Sequence, residues 1–255
     1  MEHPVDVRHE DYTFESAPEV LEKMRQAEDL HQHISEESVQ DLQRVDVSHH
    51  PYRRWKRLMD VVCSALGLLV LAVPMLLISL IVLVDNPGPV IFSQYRVGVD
   101  GKRFKLYKFR TMRRSTPKYM ATGELENPKR YITNSGKLLR KLSLDELPQL
   151  WNVLRGDMSL IGPRPLISDE YEIHAMRMRF GVYTTPPGIT GLAQINGRDL
   201  VSPEEKIHWD VKYLQSFGLR GDLRILFSTL PKIFDGRGVA EGNKKAETCA
   251  ETTNT

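Results

Sequence analysis

The chain has 255 residues and a mass of 29.3 kDa, which bounds it to one or two domains. Its 41% hydrophobic and 27% charged residues exclude a wholly disordered chain and a polytopic membrane protein. The net charge of +2 says nothing about partners until charge is followed along the chain.

Residues 1–52 hold 13 acids and 4 Lys/Arg, and read as an acidic N-terminal extension at the periphery. Weak helical patterns run over 19–30 and 36–45, the second with Ser35 as its cap. Six histidines fall here: His3, His9, His31, His33, His49 and His50. His31 and His33 are two apart, which suits neither a helix face nor a zinc spacing, so they read as solvated. The first 60 residues contain no apolar core of signal-peptide length. The two cysteines, Cys63 and Cys249, exclude a disulfide framework and a Cys-based zinc site.

Arg53-Arg54-Trp55-Lys56-Arg57 then opens a basic juxtamembrane stretch, followed by 24 residues without a charge, 61–84. As one helix this run is ~36 Å long, enough for a ~30 Å bilayer core. Residues 85–144 are basic again, with 14 Lys/Arg against 4 acids. Cytoplasmic flanks are the ones enriched in Lys/Arg, and here both flanks are. Pro74 interrupts the run near its middle, and proline breaks or bends a helix. The segment 53–84 is therefore expected to be a re-entrant helix-break-helix hairpin entering and leaving on the cytoplasmic face. A single kinked span is the alternative.

Beyond it, residues 90–97 and 103–109 flank Val99-Asp100-Gly101 as a β-hairpin. Residues 115–130 read as a polar loop, 137–142 as helix, and 143–154 as a second helix with Leu147, Leu150, Trp151 and Leu154 on one face. Residues 156–168 read as loop, 169–180 as helix, 186–197 as loop, and 203–217 and 222–234 as helices. Residues 241–255 read as a disordered tail. The expected class is α+β, mostly helical: a membrane-associated catalytic domain over 85–240 with the re-entrant hairpin and a small β-hairpin.

Three places carry chemistry. Asp145 and Glu146 are adjacent acids at a helix start, and Ser143-Leu144-Asp145-Glu146 fits a capping box. Lys137, Arg140 and Lys141 lie just upstream, though, and a carboxylate among cations is suited to attack phosphorus or to hold Mg2+. Pro163-Arg164-Pro165 fixes the backbone on both sides of one arginine, which suits phosphate binding or a stiff turn. Residues 187–198 form a glycine-bearing loop ending at Arg198, without the Walker A or dinucleotide spacing.

Lys108-Phe109-Arg110-Thr111-Met112, the Asp145-Glu146 block through Val153, Gly156-Asp157-Met158-Ser159 with Gly162-Pro163-Arg164-Pro165, and Pro187-Gly188-Ile189-Thr190-Gly191 with Asn196-Gly197-Arg198 occur in that order. Over roughly 53–240 the chain resembles the bacterial sugar transferases, the monotopic polyprenyl-phosphate phosphoglycosyl transferases. The resemblance implies transfer of a phosphosugar from a UDP-sugar to undecaprenyl phosphate with release of UMP, the first membrane step of exopolysaccharide or other glycoconjugate assembly. It implies Asp145 as nucleophile in a covalent phosphosugar intermediate and Glu146 as a ligand of magnesium (Mg2+). It also implies a location on the cytoplasmic face of a bacterial inner membrane, in contact with membrane lipid, and a membrane helix broken at a proline. Some members carry Ser before that proline, where this chain has Val73. Lys108, Arg110, Arg140, Arg164 and Arg198 are candidates for neutralising phosphate. No nucleic-acid partner is expected, and a homodimer is left open. The rival classes are a membrane-anchored scaffold that binds anionic lipid without catalysis, and a nucleic-acid binder using the basic stretch.

Overall fold

A computed structural model describes residues 18–31, 39, 41–116, 128–197 and 202–235. In chain order these form helix α1 (Pro18–His31), α2 (Tyr52–Val70), α3 (Ala72–Asp85), strands β1 (Ile91–Val97) and β2 (Arg103–Phe109), a helical turn α4 (Pro128–Tyr131), α5 (Asn134–Lys141), a 3-10 turn (Leu144–Glu146), α6 (Gln149–Arg155), β3 (Ser159–Ile161), α7 (Tyr171–Arg179), a 3-10 turn (Val182–Thr184), β4 (Gly188–Thr190), α8 (Leu192–Asn196), α9 (Pro203–Gln215) and α10 (Leu219–Asp235). The architecture is mostly helical with two small sheets.

Helix α2 is amphipathic in an inverted sense. Lys56, Asp60 and Ser64, four residues apart and so on one face, are buried, whereas Leu58, Val62, Leu66 and Leu69 are exposed. The polar stripe is fully used. Lys56 Nζ is 2.6 Å from Asp222 Oδ2 on α10, and Tyr52 and Tyr213 also donate to Asp222. Asp60 accepts from Ser159 Oγ and the Leu160 amide in and beside β3. The base of the apolar hairpin is thus tied to the domain by a buried polar network.

The break lies three residues before Pro74. Helix α2 ends at Val70, Leu71 is the junction, and Pro74 sits in the first turn of α3. The proline ring clashes with the carbonyl four residues earlier, which is that of Val70, so helical continuity fails in the preceding turn. The two helices are bent by 61° at this point, and only as a bent pair do they have the length and composition to cross a membrane. No single described helix does. Ile78 and Val82 of α3 pack with Phe109 and Leu139, fastening the second arm to β2 and α5.

β1 and β2 form the expected antiparallel hairpin, with Phe92 opposite Lys108, Gln94 opposite Leu106 and Arg96 opposite Phe104. Two of the expected loops contain strand: β3 and β4 pair in parallel, Ser159 with Gly188 and Ile161 with Thr190, and α8 follows within the glycine-bearing loop. These strands are three residues each, too short for an alternation signal. The pairing needs glycine, because a Cβ on Gly188 would come within 2.1 Å of the Gly162 amide.

The main core gathers α7, α9, α10 and β3 around Ile161, Phe180, Ile207, Val211, Leu214 and Ile225. Ser202 and Glu205 close a reciprocal capping box on α9. The described part of the N-terminal segment is not peripheral. Val20 and Met24 of α1 pack with Val97, Ala175 and Tyr183, and Val39 and Val47 join the main core. Residues 42–45 are irregular rather than helical. Their backbone is held instead by the Val45 amide, which donates to the Phe180 carbonyl. Ser35, residues 117–127 of the expected polar loop and the 241–255 tail lie outside the described residues.

Candidate active site

The expected helix from 143 to 154 is divided. Ser143 has φ 55°, in the left-handed region, and makes no side-chain cap. The 3-10 turn that follows carries both acids, and α6 starts only after Pro148. The capping-box reading is therefore replaced: neither acid serves a regular helix start. The backbone reversal at Ser143 instead turns Asp145 inward, leaving it 8% exposed. Helix α6 buries Gln149, Asn152 and Val153, not the expected leucine face, and Trp151 is 50% exposed. Asn152 accounts for this inversion. Its Nδ2 donates to the Lys105 carbonyl and its Oδ1 accepts from the Tyr107 amide, fastening α6 to β2.

Strand β2 delivers Lys108 to the acids. Lys108 Nζ donates to Glu146 Oε1 at 2.6 Å. Arg164 Nη1 lies 3.7 Å from the same oxygen, and Gln149 hydrogen-bonds Glu146 as well. Burial alone would raise the Glu146 pKa, but Lys108 and Arg164 outweigh it and hold the carboxyl well below the ordinary range. Asp145 moves the other way. Burial raises it, the charge of Glu146 adds to that, and Lys108 and Arg140 offset only part. Two adjacent acids thus have environments that push their pKa values apart, a pattern of functional sites. Arg140 Nε donates to Thr111 Oγ1 and contributes charge at Asp145.

The Pro163-Arg164-Pro165 segment is held from beneath. Arg177 on α7 pairs with Asp210 on α9, Nη2 to Oδ2 2.6 Å, both nearly fully buried, and its Nη1 donates to the Arg164 carbonyl. His174 Nε2 donates to the Ile167 carbonyl. Burial pushes the His174 pKa down to about 3, so the ring is neutral and its Nδ1 accepts from the Tyr183 hydroxyl.

The structure brings Lys108, Arg140, Asp145, Glu146 and Arg164 together. Arg110 is placed elsewhere: its guanidinium donates to the Asn86 carbonyl where the chain leaves α3, and it lies against Gly88. Arg198 lies outside the described residues. Two further polar side chains line the cleft with Lys108, Glu146 and Arg164: Gln149 and Arg96. Arg96 was visible in the hairpin pattern, since strand alternation and the register across the Val99-Asp100-Gly101 turn put it on the face of Lys108. Gln149 carried no signal beyond its nearness to Glu146.

Among the described residues, no three His, Cys, Asp or Glu side chains are grouped to hold a metal. The adjacent acids suit a hard cation that takes one or two carboxylates and completes its shell with substrate phosphate oxygens. The donor set fits Mg2+ on those terms, with Glu146 as the protein's oxygen ligand.

Buried Asp145 and half-buried Glu146 thus stand among Lys108, Arg140 and Arg164. Residues 51–236 match the model of the bacterial sugar transferase family. The chain is 42% identical over 188 residues to an uncharacterized sugar transferase, EpsL, of Bacillus subtilis, covering 74% of this chain and 91% of that protein. It is 40% identical over 198 residues to the exopolysaccharide production protein ExoY of Rhizobium meliloti, covering 72% and 87%. It is 39% identical over 189 residues to the undecaprenyl-phosphate galactose phosphotransferase of Salmonella typhimurium, covering 68% of this chain and 39% of that larger protein. The chain belongs to the bacterial sugar transferase family and is an enzyme, a sugar-phosphate transferase. The scaffold reading without catalysis is thereby set aside.

Proposed function

We propose that this protein transfers a phosphosugar from a UDP-sugar to undecaprenyl phosphate, at the cytoplasmic face of a bacterial inner membrane, as the opening step of exopolysaccharide or related glycoconjugate assembly. The observation that carries the reading is the pair of buried Asp145 and half-buried Glu146, within reach of Lys108, Arg140 and Arg164 in a chain of this family.

In the first half-reaction an Asp145 carboxylate oxygen attacks the β-phosphorus of the UDP-sugar. The bond from that phosphorus to the bridging oxygen breaks, and UMP leaves with the electron pair. In the second, an oxygen of undecaprenyl phosphate attacks the same phosphorus, and the Asp145 carboxylate departs unchanged. Lys108 and Arg164 supply fixed positive charge where the diphosphate charge moves, which is the main catalytic demand of phosphoryl transfer. The cationic neighbours also favour the ionised, nucleophilic form of Asp145 against its burial. Mg2+ bound at Glu146 would neutralise diphosphate charge.

Membrane seating on one face is supported by the inverted stripe of α2, the 61° bend and basic residues on both flanks. Helix α10 adds exposed Leu219, Leu223, Leu226, Phe227 and Leu230, spaced as one helical stripe. A panel of UDP-sugars assayed for UMP release with undecaprenyl phosphate tests the reading. One sugar should be turned over, and silence across the panel with folded protein would refute it.

A further inference from the structure

We propose that Arg96 is a second phosphate-binding residue of the active site, acting beside Arg164 on a phosphate or diphosphate group in the cleft. This deepens the transferase reading and rests on it for the identity of the ligand.

Arg96 stands on β1 opposite Phe104, so its side chain shares the sheet face of Leu106 and Lys108, and all three line the cleft with Glu146 and Arg164. Its hydrogen bonds are to uncharged oxygens only. Nη2 donates to Gln94 Oε1 at 2.8 Å and Nη1 to the Pro165 carbonyl at 3.5 Å, while Nε is buried with no acceptor. Among the described residues no carboxylate lies within ion-pair distance of it. Lys108 and Arg164 share Glu146, and Arg177 has Asp210, whereas Glu170 and Glu146 act on Arg96 only through longer-range charge. Its surroundings lower its pKa to about 10, through burial first and then the neighbouring charge of Arg164, with the more distant charges of Glu170 and Glu146 offsetting part, so it stays cationic at neutral pH. A partly buried cation with no carboxylate in ion-pair contact and a buried, unpaired Nε is incompletely compensated. A fold that tethers one by Gln94 and Pro165, pointing beside a second arginine, has a place for an anion. The forked guanidinium matches two phosphate oxygens at once.

The test uses the full chain in detergent micelles, with inorganic pyrophosphate as the probe and calorimetry as the readout. The unmodified chain should bind pyrophosphate. Arg96→Gln should weaken that binding about tenfold or more, the loss of one charge-assisted pair. Arg96→Lys, which keeps the charge and loses the fork, should fall between and guards against a Gln variant that fails to fold. Equal affinity in both variants, or no pyrophosphate binding by the unmodified chain, overturns the proposal. The phosphate source is read separately. A raised KM for the UDP-sugar in UMP release assigns the donor diphosphate, and a raised KM for undecaprenyl phosphate alone assigns the acceptor. Pyrophosphate binding that depends on Arg96, without UMP release from any UDP-sugar, would leave the anion site standing and sink the transferase reading.

Discussion

Asp145 and Glu146 are chemically near-identical neighbours that the fold makes opposite. Asp145→Asn removes the proposed nucleophile while keeping its shape, so both the phosphosugar adduct and turnover should disappear, with a rate loss of roughly three orders of magnitude or more. Because burial raises the Asp145 pKa, its ionised form weakens the native state at neutral pH. The same substitution should therefore raise the thermal unfolding midpoint. Full turnover by the Asn variant would remove the nucleophile role. Glu146 has the reverse sign. Its pKa is depressed, so its contribution to stability is present above the ordinary glutamate pKa near 4.5 and is lost as pH falls through the lowered value. Glu146→Gln should abolish that acid-side loss in a pH series of unfolding midpoints. It should also raise the Mg2+ requirement of the reaction or eliminate activity. Treatment with EDTA should stop UMP release and added Mg2+ restore it. Activity untouched by EDTA would exclude the metal.

Among the elements, α2 carries a buried ion pair that anchors it to α10. Lys56 and Asp222 are 6% and 5% exposed at their side chains, and Tyr52 and Tyr213 complete the carboxylate's bonding. Removing one partner of a buried pair strands the other charge, which costs about 3–5 kcal/mol. Asp222→Ala should lower the unfolding midpoint in micelles accordingly. Lys56→Met combined with Asp222→Leu should recover much of the loss, because no stranded charge remains. A midpoint for Asp222→Ala within error of the unmodified chain would show that the tether is not what holds the hairpin to the domain. The bend between α2 and α3 has a different origin, the clash of Pro74 with the Val70 carbonyl, worth ~3 kcal/mol or more in a helix interior. Pro74→Leu removes it and should let the two arms form one helix long enough to span.

For the whole molecule, the arrangement of flanks decides whether catalysis and membrane seating are compatible. If the hairpin is re-entrant, single cysteines placed at Ser48 and Ser115, with Cys63 and Cys249 replaced, should both be labelled from the cytoplasmic side. In Pro74→Leu a fraction of molecules should carry the two sites on opposite faces, and activity should fall with that fraction. Opposite faces in the otherwise unmodified chain would refute the re-entrant topology while leaving the chemistry at Asp145 intact.

Long-period and composition signals needed no tertiary structure. The uncharged run between basic flanks, the β-hairpin around Val99-Asp100-Gly101 and helices α7, α9 and α10 follow from local residue order, because strand alternation, helix amphipathicity and turn chemistry are local properties, whereas the grouping of Lys108, Asp145, Glu146 and Arg164 was implied by the family resemblance of the ordered motifs. What the fold alone decided are the features set by distant partners. Ser143 adopts a left-handed conformation instead of capping a helix, α6 buries Asn152 rather than its leucines, and Arg110 turns to the Asn86 carbonyl. The short strands β3 and β4 exist only through each other, and Arg96 meets Glu146 and Arg164 in one cleft only through tertiary packing. The 1–52 segment reads as peripheral in isolation, yet Val20 and Met24 complete one hydrophobic cluster and Val47 another, each with walls distant in sequence. No local pattern encodes such contacts, since burial is a property of the surfaces that meet rather than of the segment that supplies one of them.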